Sequence, residues 1–508
     1  MHGELIKMKN RGKNVVLLNV ISNLLLQFVT IISGFIIPKI ILNSFGSEVN
    51  GLVSSLNQFL SYINIFEGGL GAVVAANLYK PLFEKDNEKV SSVVKATQKF
   101  YKTLAIIFVI YTFIIGTLYP FLTNTSFSFN YIFTLTLILS INLFIQYNFS
   151  LSYKLLLQAD KKVYVVSLTQ ILLTILNIII FIVISKIYPN IHIMKLGSAI
   201  IFLLQPLIFN IYVNKHYKIN KNAECDSKLL KSRWDGFAIN IAAFIHNNTD
   251  ITVLTFLTSL KIVSVYAVYA LVTGGIKKLI TAITSALSPS IGHLYAKNNK
   301  EELNSKFGTY EYTIFAITFY LFTIGGLLIT PFIMIYTKNI TDVNYNQFVF
   351  GVLIVLSELM YCIREPYVNL AYSANKFKDI KKHAYIEAIM NIVLSVILVY
   401  KLGLIGVAIG TLVSMTYRTL FHVLYIRNHI INRSVVYFLG KFTVFSIGSI
   451  LGIIICNLFF KFDNYTIPNF IKYGFIYSIV LAIIYIILSI IFFRKDLLYY
   501  KNKFKRAK

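Results

Sequence analysis

Two adjacent lysines, Lys277 and Lys278, stand inside the apolar run "ALVTGGIKKLITAITSALSPSIG" at 270–292. A lysine at the centre of a membrane helix costs about 2.5–3.5 kcal/mol on insertion scales, so a pair needs a compensating role. Ammonium groups in such a place can hold an anion. Snorkelling to an interface, or pairing with a carboxylate, are the structural alternatives. Arg364 poses the same question in "SELMYCIREPYVNLAYS", where Glu365 could compensate it and Pro366 is expected to kink the helix. The acidic candidates are Glu67 in "NIFEGGLGAVV" and Asp250 in "NIAAFIHNNTDITVL". Asn240, Asn247 and Asp250 share a helical face, with His246 and Asn248 alongside. Such groups are costly against lipid and should face protein or water. There they either bond between helices or meet substrate hydroxyls and a coupling proton. For Glu67 the alternative is packing around its glycines, with a lysine as its partner. Arg418 lies nine residues before Arg427 and reads as snorkelling, while Glu387, near a helix end, carries little signal.

These residues sit in a chain of 508 residues that is 56% hydrophobic and 15% aromatic, with a mean hydropathy of +0.69. Its apolar runs reach the roughly 20 residues a bilayer crossing needs, which predicts an all-α polytopic membrane protein. About fourteen transmembrane helices are expected, at 14–42, 50–79, 100–123, 129–157, 163–185, 196–214, 234–258, 263–295, 307–336, 346–373, 382–400, 404–426, 436–460 and 470–493. The first is read as a retained span rather than a cleaved leader. With the N-terminus inside, about 34 basic residues fall on the inner side and about eight on the outer, which places both termini in the cytoplasm. Most of the formal charge of +27 is therefore topological, and it faces anionic lipid rather than nucleic acid. Cys225, Cys362 and Cys456 are too dispersed for a metal site.

The expected eighth helix places Lys277 about 21 Å from its outer end. Thr273, Lys277, Thr281, Thr284 and Ser288 form a polar stripe on it, and Gly274, Gly275 and Pro289 allow it to bend.

The chain also resembles itself. "LLLQADKKVYVVSLTQILLTILNIII" (155–180) parallels "LAYSANKFKDIKKHAYIEAIMNIVLS" (370–395), matching Asn177 to Asn391. "ANLYKPLFEKDNEKV" parallels "GHLYAKNNKEEL", matching Tyr79 to Tyr295. The offsets are 214 and 216 residues. A duplication of six helices preserves orientation, so two parallel-repeat lobes around a central cleft are expected. The domains are then 1–220 (helices 1–6), 221–432 (helices 7–12), and 433–508 with helices 13–14 and a basic cytoplasmic tail. No P-loop, HExxH or GxSxG motif occurs, and no extramembrane loop is long enough for a catalytic domain. The reading is a transporter with no catalytic residues, no metal site and no cofactor.

Two stretches carry a family resemblance: "IIPKIILNSFGSEVNGLVSSLNQFLSYINIFEGGLGAVVAANLYK" and "NNTDITVLTFLTSLKIVSVYAVYALV". The first is similar to a G-x-x-x-x-G-L…LGL pattern. The second is similar to a D-x-x-x-L…V…Y pattern on Asp250, Leu254, Val265 and Tyr266. With fourteen helices in two lobes, the chain resembles the bacterial polysaccharide flippases of the multidrug/oligosaccharidyl-lipid/polysaccharide exporter superfamily. The resemblance covers nearly the whole chain, although the arginine such flippases often carry near the end of helix 2 is Asn77 here. It implies a polyprenyl-diphosphate-linked oligosaccharide as cargo, flipped outward across the bacterial plasma membrane for surface-polysaccharide synthesis, with a polymerase and other assembly proteins as partners. Lys277, Lys278 and Arg364 would then hold the diphosphate. Glu67, Asn247, Asp250 and His246 would meet the glycan or couple to H+ or Na+, and the membrane potential could also drive export. The competing expectations are a multidrug exporter of the same superfamily and a membrane-embedded glycan polymerase.

Overall fold

The computed structural model describes residues 2–123, 125–220, 223–225, 244, 248–297, 299–460, 462 and 464–497. Among them every regular element is a helix. The chain forms two compact units, 1–244 and 245–508.

The first unit begins with α1 (His2–Ser61), two helical stretches joined across a kink within 43–49, where the sequence placed the break between its first two helices. The direction changes at Gly46 alone, whose φ of 78° is open to glycine and strained for other residues. A further break falls inside the expected second helix. A 3-10 turn, Tyr62–Glu67, leads through Gly69 (φ 82°) into α2 (Leu70–Glu84). Next come α3 (Asn87–Leu122), α4 (Phe129–Ile145), a π turn at Gln146–Ser150, and α5 (Leu151–Ala159). α6 (Val163–Ile187), α7 (Ile191–Phe202) and α8 (Leu204–His216) complete the unit. Leu70, Leu78, Phe108, Leu156 and Phe209 share its fully buried core. Asp86 caps α3 by accepting the Lys89 backbone N–H at 3.0 Å. That bond, with the Lys89 ammonium, holds the Asp86 carboxyl below the usual carboxylate range.

The second unit contains α9 (residues 248–257), α10 (Leu260–Ala296), α11 (Lys300–Tyr336) and α12 (Phe348–Ser373). It continues with α13 (Phe377–Leu402), α14 (Leu404–Ile426), α15 (Val435–Phe459) and α16 (Ile467–Phe492). α12 packs against α10, α11 and α14, while α15 and α16 pack on α11. α13 and α14 are joined by the single turn residue Gly403 (φ 54°). A Cβ at Gly406 would lie 2.4 Å from the Leu398 carbonyl oxygen, and one at Gly410 would lie 2.6 Å from Ser395 Oγ. Only glycine lets these two helices approach so closely.

The units share a spacing. α3 and α11 begin at Asn87 and Lys300, α6 and α13 at Val163 and Phe377, α7 and α14 at Ile191 and Leu404. Those starts are 213, 214 and 213 residues apart. The left-handed turn residues Lys161 (φ 59°) and Asn375 (φ 54°) are 214 apart.

Eleven described helices are long and apolar enough to cross a membrane. The first, Val15–Glu67, has 53 residues, or about 80 Å of helix, enough for two crossings. α12 is long enough too, but Glu358, Arg364 and Glu365 in its middle keep it out of that set. The expected helix at 234–258 falls largely outside the described residues. Ile106, Ile110, Ile179, Ile397, Ile450 and Ile490 are exposed, as helix faces against lipid are. The chain is an all-α multi-pass membrane protein.

Candidate functional site

The polar residues of the second unit converge because α12 turns Glu358, Tyr361 and Glu365 to one face at i, i+3 and i+7. α10 brings Lys277, which lies about 26 Å along a 37-residue helix. Its Nζ is 3.0 Å from Glu358 Oε2 and 3.8 Å from the centre of the Tyr361 ring. The Arg364 guanidinium lies 4.8 Å from the same ring centre. Arg364 Nη1 donates to Glu387 Oε1 at 2.7 Å, and Arg418 Nη1 donates to Glu387 Oε2 at 2.7 Å. All three of these side chains are less than 10% exposed.

Arg418 therefore does not snorkel. Its head group turns inward because α13 offers a carboxylate there, and Glu387 is the anion shared by two arginines. Lys277, Arg364 and Arg418 stand among three carboxylates, those of Glu358, Glu365 and Glu387, so the cluster balances in formal charge. Lys278, one residue round the helix, is exposed. No acidic side chain pairs with it among the described residues.

A second group adjoins the first. Tyr266 donates to Asp250 Oδ2 at 2.9 Å, and Thr411 Oγ1 lies 3.0 and 2.9 Å from the two carboxylate oxygens. Asn391 Nδ2 donates to Thr411 Oγ1 at 3.0 Å. Asn391 Oδ1 and Ser395 Oγ are buried with no hydrogen-bond partner. Asp250, Tyr266, Ser357, Glu358 and Thr411 border a cavity of about 40 Å³, room for two or three waters. Two carboxylates on one small cavity repel unless a proton or a cation lies between them. The arrangement can therefore hold either.

Glu67 belongs to the first unit, at the 3-10 break, with Tyr147 and Lys154 as its polar neighbours. Tyr147 also donates to Asn64 Oδ1 at 2.6 Å. His246 and Asn247 lie outside the described residues. Sequence reasoning missed Glu358, Tyr361, Glu387 and Thr411 as site residues. The available signal was charge balance, since buried cations in apolar segments require anions in others.

A separate buried cluster joins α11 to the chain's last helices. Glu311 is fully buried, and its Oε2 accepts Arg433 Nη2 at 2.8 Å and Lys441 Nζ at 2.6 Å. Tyr367 donates to its other oxygen, and Arg433 Nη1 also donates to Asn304 Oδ1 at 2.8 Å.

Solved structures share this arrangement of helices. One, described as the lipid II flippase MurJ in an inward closed conformation, superposes with a TM-score of 0.72 at 18% identity. That match covers 95% of this chain and 100% of the other. This chain shares that fold. A multidrug resistance MATE family transporter of the MOP superfamily, in an inward-facing conformation, matches with a TM-score of 0.59 at 16% identity, covering 78% of this chain and 94% of its own. The MATE multidrug transporter DinF-BH, solved as a complex, gives 0.61 at 16% identity, with 83% and 97% covered. No family profile and no curated protein matches the sequence. At these identities the likeness establishes the fold alone, and the cargo has to be argued from the residues.

Proposed function

We propose that the chain is an alternating-access transporter that carries a polyprenyl-diphosphate-linked oligosaccharide from the cytoplasmic to the outer leaflet, for surface-polysaccharide synthesis. The observation that carries this reading is Lys278, an exposed cation in the middle of an apolar helix with no acidic partner among the described residues. A lone ammonium at such a depth is costly unless its ligand brings the counter-charge, and a diphosphate does. Lys277 adds a second ammonium, held in place by Glu358 and Tyr361. Arg364, locked to Glu387, contributes to the local field rather than reaching out. The fold supports the reading, because one protein that shares it is described as a lipid II flippase. An inside-negative potential of 100 mV favours outward movement by about 2.3 kcal/mol per negative charge. In this reading the chain lies in a bacterial plasma membrane with both termini cytoplasmic, and a polymerase consumes its product.

Drug export has one observation in its favour, the paired carboxylates Asp250 and Glu358. Their cavity of about 40 Å³ excludes an organic cation, so we assign it to a coupling H+ or Na+. Replacing Asp250 with asparagine keeps the Tyr266 and Thr411 contacts in reach but removes the charge. Transport by Asp250→Asn should lose its dependence on the coupling-ion gradient while the protein stays folded. If Asp250→Asn responds to the gradient as wild type does, coupling lies elsewhere.

The cargo is tested in proteoliposomes with a fluorescent polyprenyl-diphosphate oligosaccharide. Lys278→Ala, which breaks no ion pair, should slow flipping about tenfold or more, the worth of one charge-assisted hydrogen bond. Lys277→Ala/Lys278→Ala should abolish it. Unchanged flipping in both would remove these lysines from the site. No flipping by wild type, under a potential and under H+ and Na+ gradients, would overturn the cargo assignment.

A further inference from the structure

The first unit carries a cavity unconnected with the residues discussed so far. It measures about 470 Å³ and lies against the first turns of α3, lined by Ser91, Lys95, Gln98, Lys99, Lys102 and Tyr153. We infer that it binds the phosphate headgroup of an anionic glycerophospholipid from the cytoplasmic leaflet.

The lysines differ from their neighbours in the sequence. Lys80 pairs with Glu84, Lys89 with Asp86 and Lys162 with Asp160. Lys99 and Lys102 are exposed, and no acidic side chain pairs with either among the described residues. Spaced at i and i+3, they project to the same side of α3. The chain after α8 closes one flank of the cavity. Lys95 Nζ donates to the Ala223 carbonyl at 2.9 Å, and the Asn220 backbone N–H donates to Ser91 Oγ at 2.9 Å. The cavity is thus a built feature, with two cations left to face its contents.

The same face of α3 then changes chemistry. Beyond Lys102 it presents Ile106, Ile110 and Phe113, which are 64%, 57% and 49% exposed. The opposite face, with Val94, Tyr101, Leu104 and Phe108, is buried in the unit's core. From Lys102 to Phe113 the helix rises about 17 Å, close to the hydrocarbon depth of one leaflet. A phosphate on the lysines with acyl chains along the isoleucines matches that sequence of surfaces. A free phosphate or a nucleotide would meet the lysines but make no use of the lipid-facing stripe that adjoins them. Basic recesses beside membrane helices on the cytoplasmic side bind anionic headgroups in this way. This site is independent of the cargo proposed above.

Native mass spectrometry of the full chain in neutral detergent tests the inference, with phosphatidylglycerol and phosphatidylcholine added in equal amounts. Wild type should retain phosphatidylglycerol over phosphatidylcholine by about tenfold or more, and Lys99→Gln/Lys102→Gln should retain the two alike. Lys80→Gln/Lys85→Gln, at the end of α2, should behave as wild type. Lys99→Arg/Lys102→Arg should keep the preference, which separates charge from local structure. If the double glutamine variant is not monodisperse, Lys99→Gln and Lys102→Gln are measured singly, and each should lose part of the preference. Equal retention of phosphatidylglycerol by the glutamine variants and wild type would overturn the site. Displacement of the lipid by millimolar inorganic phosphate would also overturn it, in favour of a soluble phosphate.

Discussion

Alanine at Glu387 should leave little folded protein. Arg364 and Arg418 both rest on that carboxylate at 2.7 Å, and both are buried. Removing the shared anion strands two guanidinium groups on neighbouring helices, where they also repel one another. Breaking a buried ion pair from one side costs about 3–5 kcal/mol, and here two cations lose their partner together. In detergent the variant's thermal midpoint should fall sharply, or the protein should fail to elute as a single species. Arg364→Met/Glu387→Met/Arg418→Leu removes all three charges, and much of the stability should return, because three apolar side chains need no partners. A Glu387→Ala variant as stable as wild type would mean that the arginines reach water, contrary to their burial.

Glu311 sets the second large effect. It is fully buried, and Arg433, Lys441 and Tyr367 all converge on it. Lys441 belongs to α15 and Arg433 to the turn before it, so this carboxylate fastens the last two helices to α11. Glu311→Ala should destabilise by about 3–5 kcal/mol through the same stranding of charge. The damage should be local at first. Limited proteolysis in detergent should cut between α14 and α15 before it touches α3 or α6. Uniform protection of that connection in Glu311→Ala would show that apolar packing alone, including Leu328, Cys456, Tyr473 and Tyr477, holds α15 and α16 in place.

The helices were legible because a bilayer demands long apolar runs, and few other structures produce them. The duplication was legible because "QADKKV" and "SANKFK" mark turns that the fold repeats at Lys161 and Asn375. The bend at Gly46 was legible in position, as the boundary between the first two expected helices, but not in form. A polar stretch such as "NSFGSEV" reads equally well as a loop or as a helix, and only the backbone angle at one glycine decides. For the site, Lys277, Arg364 and Asp250 stood out because a charge in an apolar run is conspicuous. Their partners did not, because pairing is a tertiary fact. Glu387 is 23 residues from Arg364 and 31 from Arg418, and neither distance has a helical period to reveal it. Thr411 is 161 residues from Asp250 and sits among ordinary membrane threonines. Glu311 raised no signal at all, since a single acid in "TYEYTIF" resembles a helix end near the cytoplasm.

The one-residue turn at Gly403 has a bearing on how the chain enters the membrane. α13 and α14 carry Glu387 and Arg418, which form an ion pair with each other, and Gly406 and Gly410 let the two helices close tightly. As a hairpin they can leave the insertion machinery with that acid and that base already neutralised, so neither is presented to lipid alone. Arg364 is synthesised earlier, on α12, and has no such local partner in Glu387 until the hairpin follows. The carboxylate that Arg364 rests on is thus made after α12, and it comes with a helix partner that already shares it.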